Sequence, residues 1–253
     1  MINRIWQICA REIRAYFLSP IAYIVIGASL VLNSFIFSIL VRVFNQPQPP
    51  AGSIMQIFLG RNVFFWIILL LLTPTVTMRL FAEERRSGTL EVLMTAPVTD
   101  TEAVLGKYLG ALFFYMAIWA PTLLYVLILK RFSPLDMGPI GSGYLYLLLV
   151  GSMFLAMGIL ISILTRSQII AAIVSFGLMF LLFLAPVFLE GWIVGPGSLQ
   201  TFMRAAFSYM NTWNHAGDFG KGIVDSRPLI YYTTSTGLFL FLSVWTLAVK
   251  KGK

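Results

Sequence analysis

Val63-Phe-Phe-Trp-Ile-Ile-Leu-Leu-Leu-Leu-Thr-Pro-Thr-Val-Thr-Met78 runs without a break into Arg79-Leu-Phe-Ala-Glu-Glu-Arg-Arg-Ser-Gly-Thr-Leu-Glu91. As a helix rising ~1.5 Å per residue the uncharged first part covers roughly 24 Å, somewhat short of the ~30 Å of bilayer hydrocarbon. The charges that follow so densely imply that the chain leaves the bilayer at Arg79 and stays structured in water. Working outward, five more stretches have the length and apolar character of a span: Ile21 to Val41, Tyr108 to Leu129, Tyr144 to Leu164, Ile169 to Leu189 and Leu229 to Val249. Of the 253 residues 58% are hydrophobic and only 11% are charged, and the charges sit between these stretches. The chain therefore reads as an all-α membrane protein with six transmembrane helices, at 21–41, 63–78, 108–129, 144–164, 169–189 and 229–249. An interfacial segment at 1–20, a loop at 79–107 and a long segment at 190–228 complete it. Pro74, Pro121 and Pro186 fall inside spans, where each removes a backbone donor.

A net charge of +8 does not point to nucleic acid here, because the basic residues flank apolar runs instead of forming one patch. Cys9 is the single cysteine and His215 the single histidine, so neither a disulfide nor a soft-ligand metal or haem site is expected, and no cofactor is assigned to the chain. Arg11, Glu12 and Arg14 interrupt the apolar start, which does not read as a signal peptide. Segments 1–20, 79–107, 165–168 and 250–253 hold eleven Lys and Arg, against seven in 42–62, 130–143 and 190–228. The positive-inside rule then places both termini and the 79–107 loop in the cytoplasm, in a cell inner membrane. The spans carry no Asp, Glu, Lys or Arg, which argues against ion-coupled transport. Nor do they hold a Ser-His, paired-Asp or metal constellation, so an intramembrane enzyme is disfavoured. Neither Gly106-Lys107-Tyr108 nor Gly220-Lys221-Gly222 completes a G-x-x-x-x-G-K-[ST] phosphate loop, so the chain is not its own ATPase.

At the N-terminus, Ile2, Ile5, Trp6, Cys9, Ile13, Tyr16 and Phe17 share one helical face, while Arg4, Gln7, Arg11 and Arg14 share the other. Such a helix lies in the headgroup layer with its basic face toward lipid phosphate, and Ser19-Pro20 ends it. In the loop, Gly88 can serve as an N-cap with Glu91 at the third position and Leu90, Leu93 and Met94 as a short apolar stripe, stopped by Pro97. Thr99 and Glu102 form a capping-box pattern that starts the next helix, and Gly106-x-x-x-Gly110 permits a close helix approach. On charge alone the loop reads rather as a solvated helix-turn-helix linker stabilised by local ion pairs.

The order of these features resembles the ABC-2 type of ABC transporter permease: Arg11-Glu-Ile-Arg-Ala-Tyr-Phe17 with Ser19-Pro20, six spans, and Glu83-Glu-Arg-Arg-Ser-Gly-Thr-Leu-Glu91 with Pro97 and Gly106-Lys107 after span two. Within that family it is most similar to the gliding-motility and nitrous-oxide-reductase-maturation permeases. The resemblance implies that helix 1–20 is an elbow helix, with Arg4, Trp6, Arg11, Arg14, Tyr16 and Phe17 at the interface. It also implies a coupling helix docked on a separate ABC ATPase through Glu83, Glu84, Arg85, Arg86, Gly88, Thr89, Leu90 and Glu91. ATP and Mg would be bound by that ATPase, and a second copy or a related permease would complete a dimer. Export or translocation of a substrate is the implied activity. The alternative is an ATP-driven mechanical or assembly module acting on a periplasmic or cell-surface machine through a partner at 190–228, with nothing crossing.

In that segment Leu199, Phe202, Met203, Ala206, Phe207 and Met210 repeat at helical spacing, and Trp192, Tyr209, Trp213 and Phe219 add interfacial aromatics. One or two short re-entrant helices in the outer leaflet are expected. His215 and Asp218 invite a metal or proton-relay role, but a lone histidine at such a place more often serves as a hydrogen-bonding group. The polar residues left in the spans, including Asn33, Ser34, Thr73, Thr122, Ser162 and Ser175, either line a path or bond neighbouring helices and their own carbonyls.

Overall fold

The computed structural model describes residues 2–48, 50, 52–60, 62–86, 88, 98–132, 135–192 and 198–251. Thr89, Leu90, Glu91 and Pro97 of the expected coupling segment lie outside the described residues, as do Pro196, Gly197 and the side chain of Trp192. Every regular element among the described residues is a helix. In chain order these are α1 (Ile2–Leu18), α2 (Pro20–Phe44), α3 (Ile54–Leu59), α4 (Val63–Thr77), α5 (Ala82–Arg86) and α6 (Asp100–Trp119). A 3-10 turn at Ala120–Thr122 leads into α7 (Leu123–Phe132), followed by α8 (Met137–Leu164), α9 (Gln168–Trp192), α10 (Ser198–Met210), α11 (Thr212–Gly220) and α12 (Ser226–Lys251). Among the described residues six runs are long and apolar enough to cross a membrane: Pro20–Phe44, Val63–Arg86, Asp100–Phe132, Met137–Leu164, Gln168–Leu189 and Ser226–Lys250.

Local chemistry sets most boundaries. Ser19 is extended and Pro20 occupies the first helical position, so α1 stops and α2 starts at one corner. Thr99 and Glu102 form the reciprocal capping box, at 3.2 and 2.9 Å. Pro121 converts the end of α6 into the 3-10 turn, where the Thr122 hydroxyl donates to Trp119 O at 2.6 Å and satisfies a carbonyl. Helix α8 begins at Met137, well before Tyr144, because Asp136 caps it and the Gly-Pro-rich start is tolerated in a membrane helix. Helix α3 falls in what reads as a plain connection at 42–62. Its signature, Ser53 and Gln56 as a complete capping box, is present in the sequence.

The centre of the bundle is α8, with 78% of its apolar window buried against 17% for α2 and 22% for α12. Helices α4, α6, α9, α11 and α12 all pack on it. Glycines make the approach possible: a Cβ at Gly151 would collide with the Tyr115 ring, and one at Gly158 with Thr77 Oγ1. Trp66, Tyr115, Tyr146 and Phe154 fill the core. Outward faces of α2, α9 and α12 remain apolar, with Val31, Phe35, Ile173, Leu181, Phe241 and Trp245 exposed. Most span hydroxyls bond back to their own helix, as Thr73 does to Leu69 O at 2.8 Å and Thr75 to Leu71 O at 2.7 Å. Ser34 instead meets the Tyr125 hydroxyl at 2.7 Å, and buried Ser175 has no partner within hydrogen-bond distance among the described residues.

Candidate functional site

Ending a membrane helix leaves carbonyl groups without a following N–H, and here three other helices satisfy those of α4 and the turn after it. The Tyr16 hydroxyl of α1 donates to Val76 O at 2.7 Å. Ser162 Oγ of α8 reaches Met78 O at 3.3 Å, and Lys107 Nζ of α6 donates to Leu80 O at 2.8 Å. The turn at 78–81 then redirects the chain into α5. Ser162 Oγ also accepts from the N–H groups of Phe81 and Ala82, each at 3.1 Å, so one hydroxyl closes one helix and opens the next.

Lys107 is 1% exposed. Its other two protons go to Glu12 Oε1 of α1 at 3.1 Å and Glu84 Oε1 of α5 at 2.8 Å, and its ammonium sits 5.0 Å from the centre of the Phe81 ring. Arg11 bridges the same two carboxylates at 2.9 and 3.2 Å. On burial alone the Glu12 carboxyl would rise, but Lys107 and Arg11 outweigh that effect and hold it below its ordinary value. Arg79 binds Glu83 at 3.3 Å and the Ser19 hydroxyl at 3.2 Å, tying the corner to the junction of α1 and α2. A cleft of about 260 Å³ opens beside this network, lined by Arg11, Tyr16, Arg79, Glu83, Glu84 and Lys107. Helix α1 reaches these partners by lying directly on α6: a Cβ at Gly106 would stand 2.7 Å from Ile8 Cβ, and one at Gly110 2.7 Å from Glu12 Cβ.

The residues singled out in the sequence separate into two groups. Glu84 turns inward to Lys107, whereas Glu83 and Arg86 are exposed and Arg85 is half-buried. Gly88, two residues beyond the end of α5, has φ 76°, which glycine adopts without steric cost, and the helix expected to follow it lies outside the described residues. Within α1, Tyr16 is buried and stacked on Phe114 with ring centres 4.4 Å apart, Phe17 meets the same ring edge-on, and Trp6 meets Phe113 while staying 58% exposed. Arg4, Arg11 and Arg14 lie on the exposed face. Glu12, Lys107 and Ser162 were not legible as one site. Their one signal was a carboxylate among the apolar positions Ile8, Glu12 and Tyr16 of α1, one helical turn apart.

At the other end of the bundle, His215 is buried and its Nδ1 lies 3.2 Å from the Tyr232 hydroxyl. Tyr146 donates to Thr212 O at 2.8 Å and Ser142 to Phe219 O at 2.6 Å, which pins α11 onto α8. Burial lowers the His215 pKa below its ordinary value, only partly countered by Asp218 and Asp225, so the imidazole is neutral at pH 7. Among the described residues no three His, Cys, Asp or Glu converge as a metal site.

The model of a family described as "ABC-2 family transporter protein" matches residues 36–214, more than half of the chain, including α4, α5 and the foot of α6. That match reaches the broad family and does not separate the gliding-motility or nitrous-oxide groups. No curated protein matches the chain.

Proposed function

Because this chain belongs to the ABC-2 family of transporter proteins and is a multi-pass permease of an ABC transporter, we propose that α5 receives the stroke of a separate ATPase subunit. That subunit binds ATP and Mg and docks on the exposed Glu83 and Arg86 of α5, with Thr89, Leu90 and Glu91, which lie outside the described residues, as further contacts. One observation carries the reading. The corner between α4 and α5 is capped by side chains from α1, α6 and α8, so a displacement of α5 would bear on three further helices. Dimerisation of the ATPase would press α5 against Glu12 and Lys107, tilt α4 and α6 together, and alternate the access of a path between two permease copies, or between this chain and a related one. Export or translocation of a substrate follows. Helix α1 acts as an elbow on the cytoplasmic face of the inner membrane, in contact with lipid headgroups, and α3, α10 and α11 form the opposite, extracytoplasmic end. Pinning of α11 to α8 favours transport over a mechanical output at 190–228, since α11 within that segment is built into the bundle.

The test is purification of the tagged protein from gently solubilised membranes, with co-purifying chains identified by mass spectrometry and assayed for ATP hydrolysis. A stoichiometric ATPase is expected, and Arg86→Glu should reduce its recovery at least fivefold while leaving the permease inserted. Glu84→Lys is a poorer probe of docking, because it strikes the Lys107 network from inside. Recovery of the protein without an ATPase in several detergents would overturn the reading.

A further inference from the structure

We infer that Ser162 is a positioning residue of the coupling mechanism, through which a displacement of α5 is delivered to α8, the central helix, and onward to α12. This inference rests on the proposed coupling role of α5. Ser162 is completely buried, and its hydroxyl is used in full, with one proton given to Met78 O and two N–H groups, of Phe81 and Ala82, received. A serine in a membrane helix ordinarily returns its proton to a carbonyl one turn back. Ser162 instead caps a different helix, and it does so at both sides of the bend that sets the angle between α4 and α5. One turn earlier Gly158 admits Thr77 so closely that no Cβ fits between them. The α4–α5 bend therefore sits in a socket on α8, held by a directional hydroxyl and by close packing.

The socket continues beyond α8. The carbonyl of Ile163, next to Ser162 in the chain, accepts from Lys250 Nζ of α12 at 2.6 Å. Lysine at that point completes the unsatisfied C-terminal end of α8. A push on α5 thus has two exits: through Lys107 to α1 and α6, and through Ser162 to α8 and α12. The second exit leads to the other end of the bundle, because the start of α8 carries α11 on Ser142 and Tyr146. Removing the Ser162 hydroxyl would leave two N–H groups at the start of α5 without an acceptor and free the bend to pivot without dragging α8.

The experiment uses the permease with its co-purified ATPase in nanodiscs, with an environment-sensitive fluorophore on Ile223→Cys, an exposed position between α11 and α12. Cys9 is buried and stays silent. In the parent, ATP with Mg should shift the fluorescence. Ser162→Ala should retain ATPase binding and hydrolyse ATP within about twofold of the parent rate, while the shift falls at least fivefold. Ser162→Thr, which keeps the hydroxyl, should restore it. Loss of folding alone would lower hydrolysis and shift together, so the split between them is diagnostic. Should the alanine variant fail to insert, Ser162→Cys carries the same expectation with a weaker hydrogen-bonding group. A full shift in Ser162→Ala, or in the inserted Ser162→Cys, would overturn the inference while the coupling role of α5 stands. Absence of any ATP-dependent shift in the parent would remove both.

Discussion

A buried ammonium is tolerable only when each of its protons meets an acceptor, and Lys107 finds three, on α1, α5 and the turn between α4 and α5. Lys107→Met would keep the stem's packing but leave Glu12 and Glu84 with only Arg11 between them and take from Leu80 O its lysine donor. Breaking a buried pair from one side costs about 3 kcal/mol or more, and the side chains of Glu12 and Glu84 are 12% and 20% exposed, which lets them relax toward water and sets the loss near the lower end. Thermal unfolding in nanodiscs should fall accordingly, and adding Glu12→Gln should recover part of the loss, since groups in one network are not additive. The same network gives a pH dependence of definite sign. Because the folded Glu12 pKa lies below its ordinary 4.5, the stabilisation is present above that value and disappears as pH falls through the lower folded one. Unfolding temperature should therefore drop as pH is lowered from about 5, and Glu12→Gln should flatten the drop. None of this partnership was readable in the chain: Glu12 and Lys107 are 95 residues apart, and hydrophobic periodicity reports which face of a helix is buried, not which distant charge meets it.

At the level of elements, apolar runs and caps were the legible features, because span length and the chemistry of Ser19-Pro20, Thr99 and Glu102 are local. What escaped was set by contacts between elements. The Gly106-x-x-x-Gly110 stripe takes α1 as its partner, which the stripe by itself does not specify. That contact yields a prediction. The neighbours a Cβ would strike are Ile8 Cβ and Ile5 O at Gly106, and Glu12 Cβ and Cys9 O at Gly110, none of which can swing aside. Gly106→Val with Gly110→Val should therefore lift α1 from α6. Cys9, fully buried in the native contact, reports the event directly. Maleimide labelling of the solubilised protein should be slow in the parent and at least tenfold faster in the double variant. Unchanged labelling would mean that α1 is held by Tyr16 and Phe17 against Phe114 without the glycine stripe.

For the whole molecule, the decisive question is which end of the bundle faces ATP. By the positive-inside rule the distribution of basic residues predicts α1, α5 and the end of α12 on the cytoplasmic side. The same end carries the capped corner at Lys107 and Ser162, where a soluble partner's push would be shared among helices, while the opposite end holds the neutral His215 and the aromatic cluster around Tyr146 and Tyr232. A permease whose coupling corner faced away from the cytoplasm would have no nucleotide to respond to, so orientation tests the coupling proposal as well as the topology. Gln7→Cys on the exposed face of α1 and Ile223→Cys beyond α11 place a thiol at either end without altering the number of charges that govern insertion. In intact cells a membrane-impermeant maleimide should label Ile223→Cys and leave Gln7→Cys unmodified until the membrane is permeabilised, with Cys9 contributing little in either case. The reverse pattern would place α5 outside and remove the ATPase from its reach, whatever the geometry of the Lys107 network.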